Sequence, residues 1–179
     1  MTKRGQGRGN LIEAAQAEFE EHGYDNTNSN AIAKRAGYAP QTFYRHFEDK
    51  RAIFLAVYQQ WSAVEVRDVS VAGTPEAIAA ALVHHHRTHR VFRQSLRALT
   101  VSDGEVSKAR ASSRLDQVAT LAARIGHADT AQLLAGILQI ERLCDALVDG
   151  EFATCGINEE RVRDELVRAI RHLFSDRTP

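Results

Sequence analysis

Residues 26–51, NTNSNAIAKRAGYAPQTFYRHFEDKR, decide the fold. The polar cluster Asn26 to Asn30 supplies side-chain acceptors for the free N–H groups of a helix start, and Ile32, Ala33 and Ala36 then form a short apolar face that Gly37 ends. After Gly37-Tyr38-Ala39, Pro40 suits a first helical position, where its missing N–H would have no partner anyway, and a second short helix runs from Gln41 to Phe47. Asp49 can cap a further helix whose stripe is Ile53, Phe54, Val57, Tyr58, Trp61 and Val64, about six turns at 3.6 residues each. Upstream, Leu11, Ile12, Ala15 and Phe19 recur at helical spacing until Gly23 stops the run. Two short helices joined by a glycine turn behind a longer helix form a helix-turn-helix, which lays its second helix in the major groove of DNA.

The rest of the chain carries the same helical pattern. The Ala72-Gly73-Thr74-Pro75 break, with Thr74 as cap, is followed by helices expected at about 75–90, 91–101, 105–125, 129–153 and 158–174. With 44% hydrophobic residues in 179 and only three prolines, the fold class is all-α: an N-terminal helix-turn-helix domain, then a helical domain. The boundary is expected at residues 1–50 and 51–179, with the fourth helix as the covalent lever between the halves. Charged residues make up 26%, and no apolar run approaches the roughly 18 residues of a membrane span. Lys3, Arg4 and Arg8 precede no apolar stretch with a cleavage site, so a cytoplasmic protein is expected. The formal net charge of zero hides a local excess, because residues 34–51 carry Lys34, Arg35, Arg45, Lys50 and Arg51 against Glu48 and Asp49.

Phe19, His22-Gly23-Tyr24, Thr27, Ile32-Ala33, Ala36-Gly37, Thr42-Phe43-Tyr44, His46-Phe47 and Lys50 stand in an order and spacing that resembles the TetR/AcrR family of transcriptional regulators, over roughly residues 9–60. The resemblance implies that the third helix reads the groove while the starts of the second and fourth helices hold phosphates. Carried over position by position, it makes Thr27, Tyr44 and Lys50 phosphate contacts, with Gln41, Thr42, Arg45 and His46 available to the groove. Gln41 can bond an adenine edge and Arg45 a guanine edge. The chain departs from the family pattern at three positions. Asn28, counted with the DNA-binding residues, replaces a small hydroxyl residue but still caps; Ala39 gives no cap, a deficit of about 1 kcal/mol; Gln41 replaces a small residue.

The resemblance also implies a homodimer through residues 129–174, a palindromic double-stranded operator, and release by a small apolar or amphipathic effector bound between residues 75 and 153. Leu133, Ile137, Ile140, Leu147 and Phe152, then Val162, Leu166, Ile170 and Leu173, form two apolar stripes for that interface, and Ala135-Gly136 would permit close approach. Gln94, Arg97, Gln117, Gln139 and Cys144 are candidate pocket groups. Catalysis has no motif: no nucleophile elbow, phosphate loop or His-Glu-x-x-His helix is present, so no enzyme and no cofactor are expected. His85 and His89 share a helix face, but no carboxylate stands at matching spacing, and no metal is expected. Cys144 lies mid-helix among apolar residues, and Cys155 sits in a turn. The alternatives are a helical protein-interaction module that keeps the helix-turn-helix as scaffold, and a metal- or redox-sensing regulator.

Overall fold

The computed structural model describes residues 3–126 and 129–175, and among them every regular element is a helix. The order is α1 (Lys3–His22), α2 (Ser29–Arg35), α3 (Pro40–Tyr44), α4 (Lys50–Val71), α5 (Pro75–Thr88), α6 (Arg90–Ser102), α7 (Gly104–Ile125), α8 (Thr130–Asp149), α9 (Glu151–Thr154) and α10 (Glu159–Ser175). The caps act as their chemistry predicts. Asn28 Oδ1 accepts from Ala31 N at 2.9 Å, Asp49 Oδ1 from Ala52 N at 2.7 Å, and Thr74 Oγ1 from Ala77 N at 3.2 Å. Gly37, at φ 75°, turns the chain out of α2 in a conformation that a side chain would strain. Gly150, at φ 81°, divides the expected helix 129–153 into α8 and α9.

Two compact units result, and they are not consecutive segments. The first comprises residues 1–63 with 91–109, the second 64–90 with 110–179. The chain therefore passes between them within α4, at the start of α6 and within α7, so α4 is one of three covalent connections rather than the sole lever.

In the first unit, Leu11, Ala15, Phe19, Ile32, Phe43, Ile53 and Phe54 close one core, as their spacing predicts, and Phe92, Leu96 and Val106 complete it. Phe54 stacks on Phe92 with centroids 4.8 Å apart and meets Phe19 edge-on at 5.2 Å, pairs that each add about 0.5–1.5 kcal/mol beyond burial. Ser95 Oγ accepts from Tyr24 N at 3.0 Å. Asp103 caps α7 through Glu105 N and Val106 N and faces Arg51, so these donors hold its carboxyl below the usual carboxylate range.

In the second unit, α5, α8 and α10 pack on Ile78, Val83, Ile140, Cys144, Leu147, Val162, Leu166 and Ile170. The two stripes expected at a subunit interface thus supply this unit's own core. A side chain on Gly136 would meet Leu173 Cδ1 at 2.5 Å, so this glycine serves the approach of α10 to α8 within the subunit. No helix among the described residues is long and apolar enough to cross a membrane.

Candidate nucleic-acid interface

Phe43 points inward from α3 and is fully buried, which fixes the helix and turns its other faces outward. Gln41, Tyr44 and Arg45 are exposed, Thr42 and His46 half-buried. The helix ends at Tyr44, earlier than the expected Phe47. Arg45 is its C-cap at φ −75°, ψ −18°, and a last turn follows in which His46 N and Phe47 N both donate to Phe43 O, at 2.9 and 3.0 Å. Arg45 still keeps helical backbone, so Gln41, Thr42, Arg45 and His46 come together on one short segment. No hydrogen bond or ion pair within the described residues engages Gln41 or Arg45, leaving amide and guanidinium available to an outside partner.

At the start of α2, Asn28 is exposed and caps the helix. Tyr44, 58% exposed, shares a 2.9 Å hydrogen bond between its hydroxyl and Ser29 Oγ. That bond joins α3 to the first residue of α2 and points the ring away from the core. Ala39 makes no side-chain cap, as its chemistry dictates.

Two residues expected at phosphates have partners within the fold. Thr27 is 2% exposed, and its hydroxyl donates to Gly23 O at 2.8 Å and Glu18 O at 3.2 Å, which ties the turn to α1. Lys50 Nζ donates to Tyr24 O at 2.7 Å and Thr27 O at 2.9 Å and lies 4.0 Å above the Tyr24 ring. Burial pushes its ammonium down from the ordinary lysine value. Lys50 thus fastens the loop that delivers Asn28. Arg51 is held by Asp103 and Asp49, at 3.5 and 3.7 Å, and Arg35 by Glu18 and Glu21, at 3.0 and 2.6 Å. Exposed Lys34 and Arg45 remain from the local basic excess.

The structure adds Arg8. α1 begins at Lys3, a full two turns before Leu11, and its first half meets residues on either side of α3. The site of a Cβ on Gly7 is 3.3 Å from His46 Nε2, Asn10 Nδ2 donates to Tyr38 Oη at 3.0 Å, and the exposed Arg8 guanidinium stands 5.0 Å over the Phe47 ring. The basic start Lys3, Arg4, Arg8 was the available signal, masked by Gly5, Gly7 and Gly9, which weaken a helix.

Lys50→Met is expected to lower stability by about 1–3 kcal/mol, the worth of hydrogen bonds made by a charged donor, while the salt dependence of DNA binding stays unchanged. Thermal melts and titrations at several salt concentrations check it; a slope lower by about one unit per contact would restore Lys50 to the phosphates.

The second unit contains a cavity of about 120 Å³ lined by α4, α5, α7, α8 and α10. Its wall includes Glu65, His86, Gln117 and Glu141, so of the five expected polar candidates only Gln117 is there, and the lining reaches beyond the expected 75–153 to Phe174. Gln94 and Arg97 belong to the first unit, Gln139 is exposed, and Cys144 is buried in the core. His86 is 1% exposed, with Nδ1 3.0 Å from Asp145 Oδ1 and Nε2 3.4 Å from Glu65 Oε1. The His85 and His89 rings touch edge-on, 4.6 Å apart, and among the described residues no group of three or more His, Cys, Asp or Glu is placed to hold a metal ion.

A short outward-facing helix seated on a buried phenylalanine, behind a capped helix and a glycine turn, forms a helix-turn-helix. Residues 11–57 match the family described as bacterial regulatory proteins, tetR family. Of its relatives, the HTH-type transcriptional activator FasR of Mycolicibacterium smegmatis is 35% identical over 95 residues, 53% of this chain and 37% of that protein. The HTH-type transcriptional repressor AcnR of Corynebacterium diphtheriae is 29% identical over 80 residues, 45% of this chain and 42% of that protein. The chain thus spans about two fifths of the length of these relatives. Among solved structures, a transcriptional regulator from Saccharomonospora viridis in complex with choline shares the fold, with TM-score 0.68 and 17% identity over 94% of this chain and 97% of that one.

Proposed function

We propose that the protein is a transcriptional repressor that binds a palindromic operator as a homodimer through α3 and is released by a small-molecule effector held in the cavity of the second unit. The exposed, unengaged pair Gln41 and Arg45 on the outward side of α3 carries this reading. Arg45 meets guanine O6 and N7, Gln41 an adenine edge, and Thr42 and His46 fill the groove beside them. Tyr44, Asn28 and Arg8 flank the segment and meet the backbone, where positive charge and hydroxyl donors fix register without reading sequence. One short helix offers few base contacts, so two copies on half-sites about 34–36 Å apart supply the specificity. The AcnR resemblance supports repression, and the structural neighbour in complex with choline supports a small-molecule ligand for this fold. The dimer is assigned to residues 129–174 through the outward faces of α8 and α10, where Ala131, Ala135 and Leu138 are exposed.

The DNA upstream of the chain's own gene, searched for an inverted repeat and titrated with purified protein, tests the reading. Arg45→Ala is expected to weaken the best site by about 1–3 kcal/mol with less effect on random DNA; equal losses on both would move Arg45 to the phosphates. Loss of the protein should raise expression from that promoter, and a fall would make it an activator.

A further inference from the structure

We propose that the cavity of the second unit takes an uncharged, single-ring molecule carrying one neutral hydrogen-bonding group, phenol being the simplest, and rejects ions of the same shape. This rests on the effector reading above and names the class of molecule the cavity selects.

Size sets the first limit. A cavity of about 150 Å³ lined by leucine, isoleucine and phenylalanine holds benzene in another protein, and the cavity here is near 120 Å³ with Ile78, Leu82, Leu121, Ile137 and Phe174 on its wall.

Charge sets the second. The ionisable groups that line the cavity from within, Glu65, His86 and Glu141, are paired inside the protein, whereas Arg124 is exposed at its edge. His86 lies between Asp145 and Glu65, at 3.0 and 3.4 Å. Glu141 Oε2 accepts from Arg114 at 2.5 Å and Arg110 at 3.3 Å, and the Arg124 guanidinium lies 5.9 Å over the Phe174 ring. Inside the cavity a charged ligand gains a partner only by breaking one of the carboxylate pairs, which leaves a desolvated charge behind.

One polar group is left over. Thr120 Oγ1 is used by Asp116 O at 2.8 Å, whereas the half-buried Gln117 amide has no hydrogen bond among the described residues. An amide that both donates and accepts matches a hydroxyl or carbonyl and offers no preference for an ion.

Titration calorimetry and thermal shift on the full chain, with phenol, toluene, benzoate and benzylamine as probes, test this. Phenol should bind and raise the melting temperature, with benzoate and benzylamine at least about 100-fold weaker. Gln117→Leu should weaken phenol about three- to tenfold and leave toluene unchanged, because it removes one neutral hydrogen bond and no volume. Either ion binding as tightly as phenol overturns the inference, as does phenol failing to bind or binding equally well to Gln117→Leu. The effector reading fails separately: phenol would then bind with the expected Gln117 dependence yet leave operator affinity unchanged.

Discussion

A chain ended after Ala63 is expected to be unfolded, although it contains every residue matched to the tetR family and the whole helix-turn-helix. The first unit takes residues 91–109 from downstream, and Phe92, Leu96 and Val106 are essentially inaccessible in its core. Truncating one such phenylalanine or leucine to alanine costs about 2–5 kcal/mol. Losing all three, with the Phe54–Phe92 stack, removes on the order of 10 kcal/mol, as much as a whole domain's stability. Circular dichroism of fragment 1–63 against the full chain measures it, and a cooperative melt in the fragment would refute the shared core. Restoring 91–109 as a separate peptide should restore helicity in part, because the missing contacts are then available again.

Leu166→Asp is expected to unfold the second unit rather than separate two subunits. Leu166 is 1% exposed and packs with Ile78, Val83 and Ile170. The substitution loses about 2–5 kcal/mol of packing and adds an unpaired carboxylate in an apolar core, so the total exceeds about 5 kcal/mol. Leu147, 8% exposed in the same core, should behave alike. Leu138, 38% exposed on the outer side of α8, is the informative contrast. Leu138→Asp should keep the fold and shift the protein to monomers with weakened operator binding. Sedimentation and a thermal melt on both variants decide: a folded Leu166→Asp monomer would put that stripe back at the interface, and an intact Leu138→Asp dimer would move the interface off α8.

The comparison between these leucines also shows where sequence reading loses its grip. Periodicity marks a buried stripe but is silent about what buries it, since a neighbouring helix of the same chain and a second subunit impose the same 3.6-residue spacing. Local signals fared differently. Asn28, Asp49 and Thr74 cap because cap chemistry acts over two or three residues, and Gly23 and Gly37 end helices because positive φ is a property of one residue. The outward set Gln41, Thr42, Arg45 was legible for the same reason: once Phe43 is assigned inward, its neighbours on a short helix must face out. Thr27 and Lys50 were not, because their partners are carbonyls of a turn whose path depends on tertiary packing. The helical start of α1 was hidden likewise, as glycine propensity argues against it and contacts with Tyr38, His46 and Phe47 override that propensity. The assignment of residues 91–109 to the first unit rests on pairs far apart in sequence, such as Trp61 with Phe92 and Tyr24 with Ser95, beyond any window of local pattern.

The engaged charges around the cavity have a consequence for how such a protein diverges. Because Glu65, His86 and Asp145 hold one another, and Glu141 is held by Arg110 and Arg114, the apolar positions between them are electrically silent. Exchanges between isoleucine and valine at Val66, Ile78 or Ile137 alter the room available without removing a member of an ion pair, and the loss of one such methylene costs about 0.5–1.5 kcal/mol. A lineage can therefore reshape the cavity by single steps, each tolerated by the frame, while none of these exchanges touches α2 or α3.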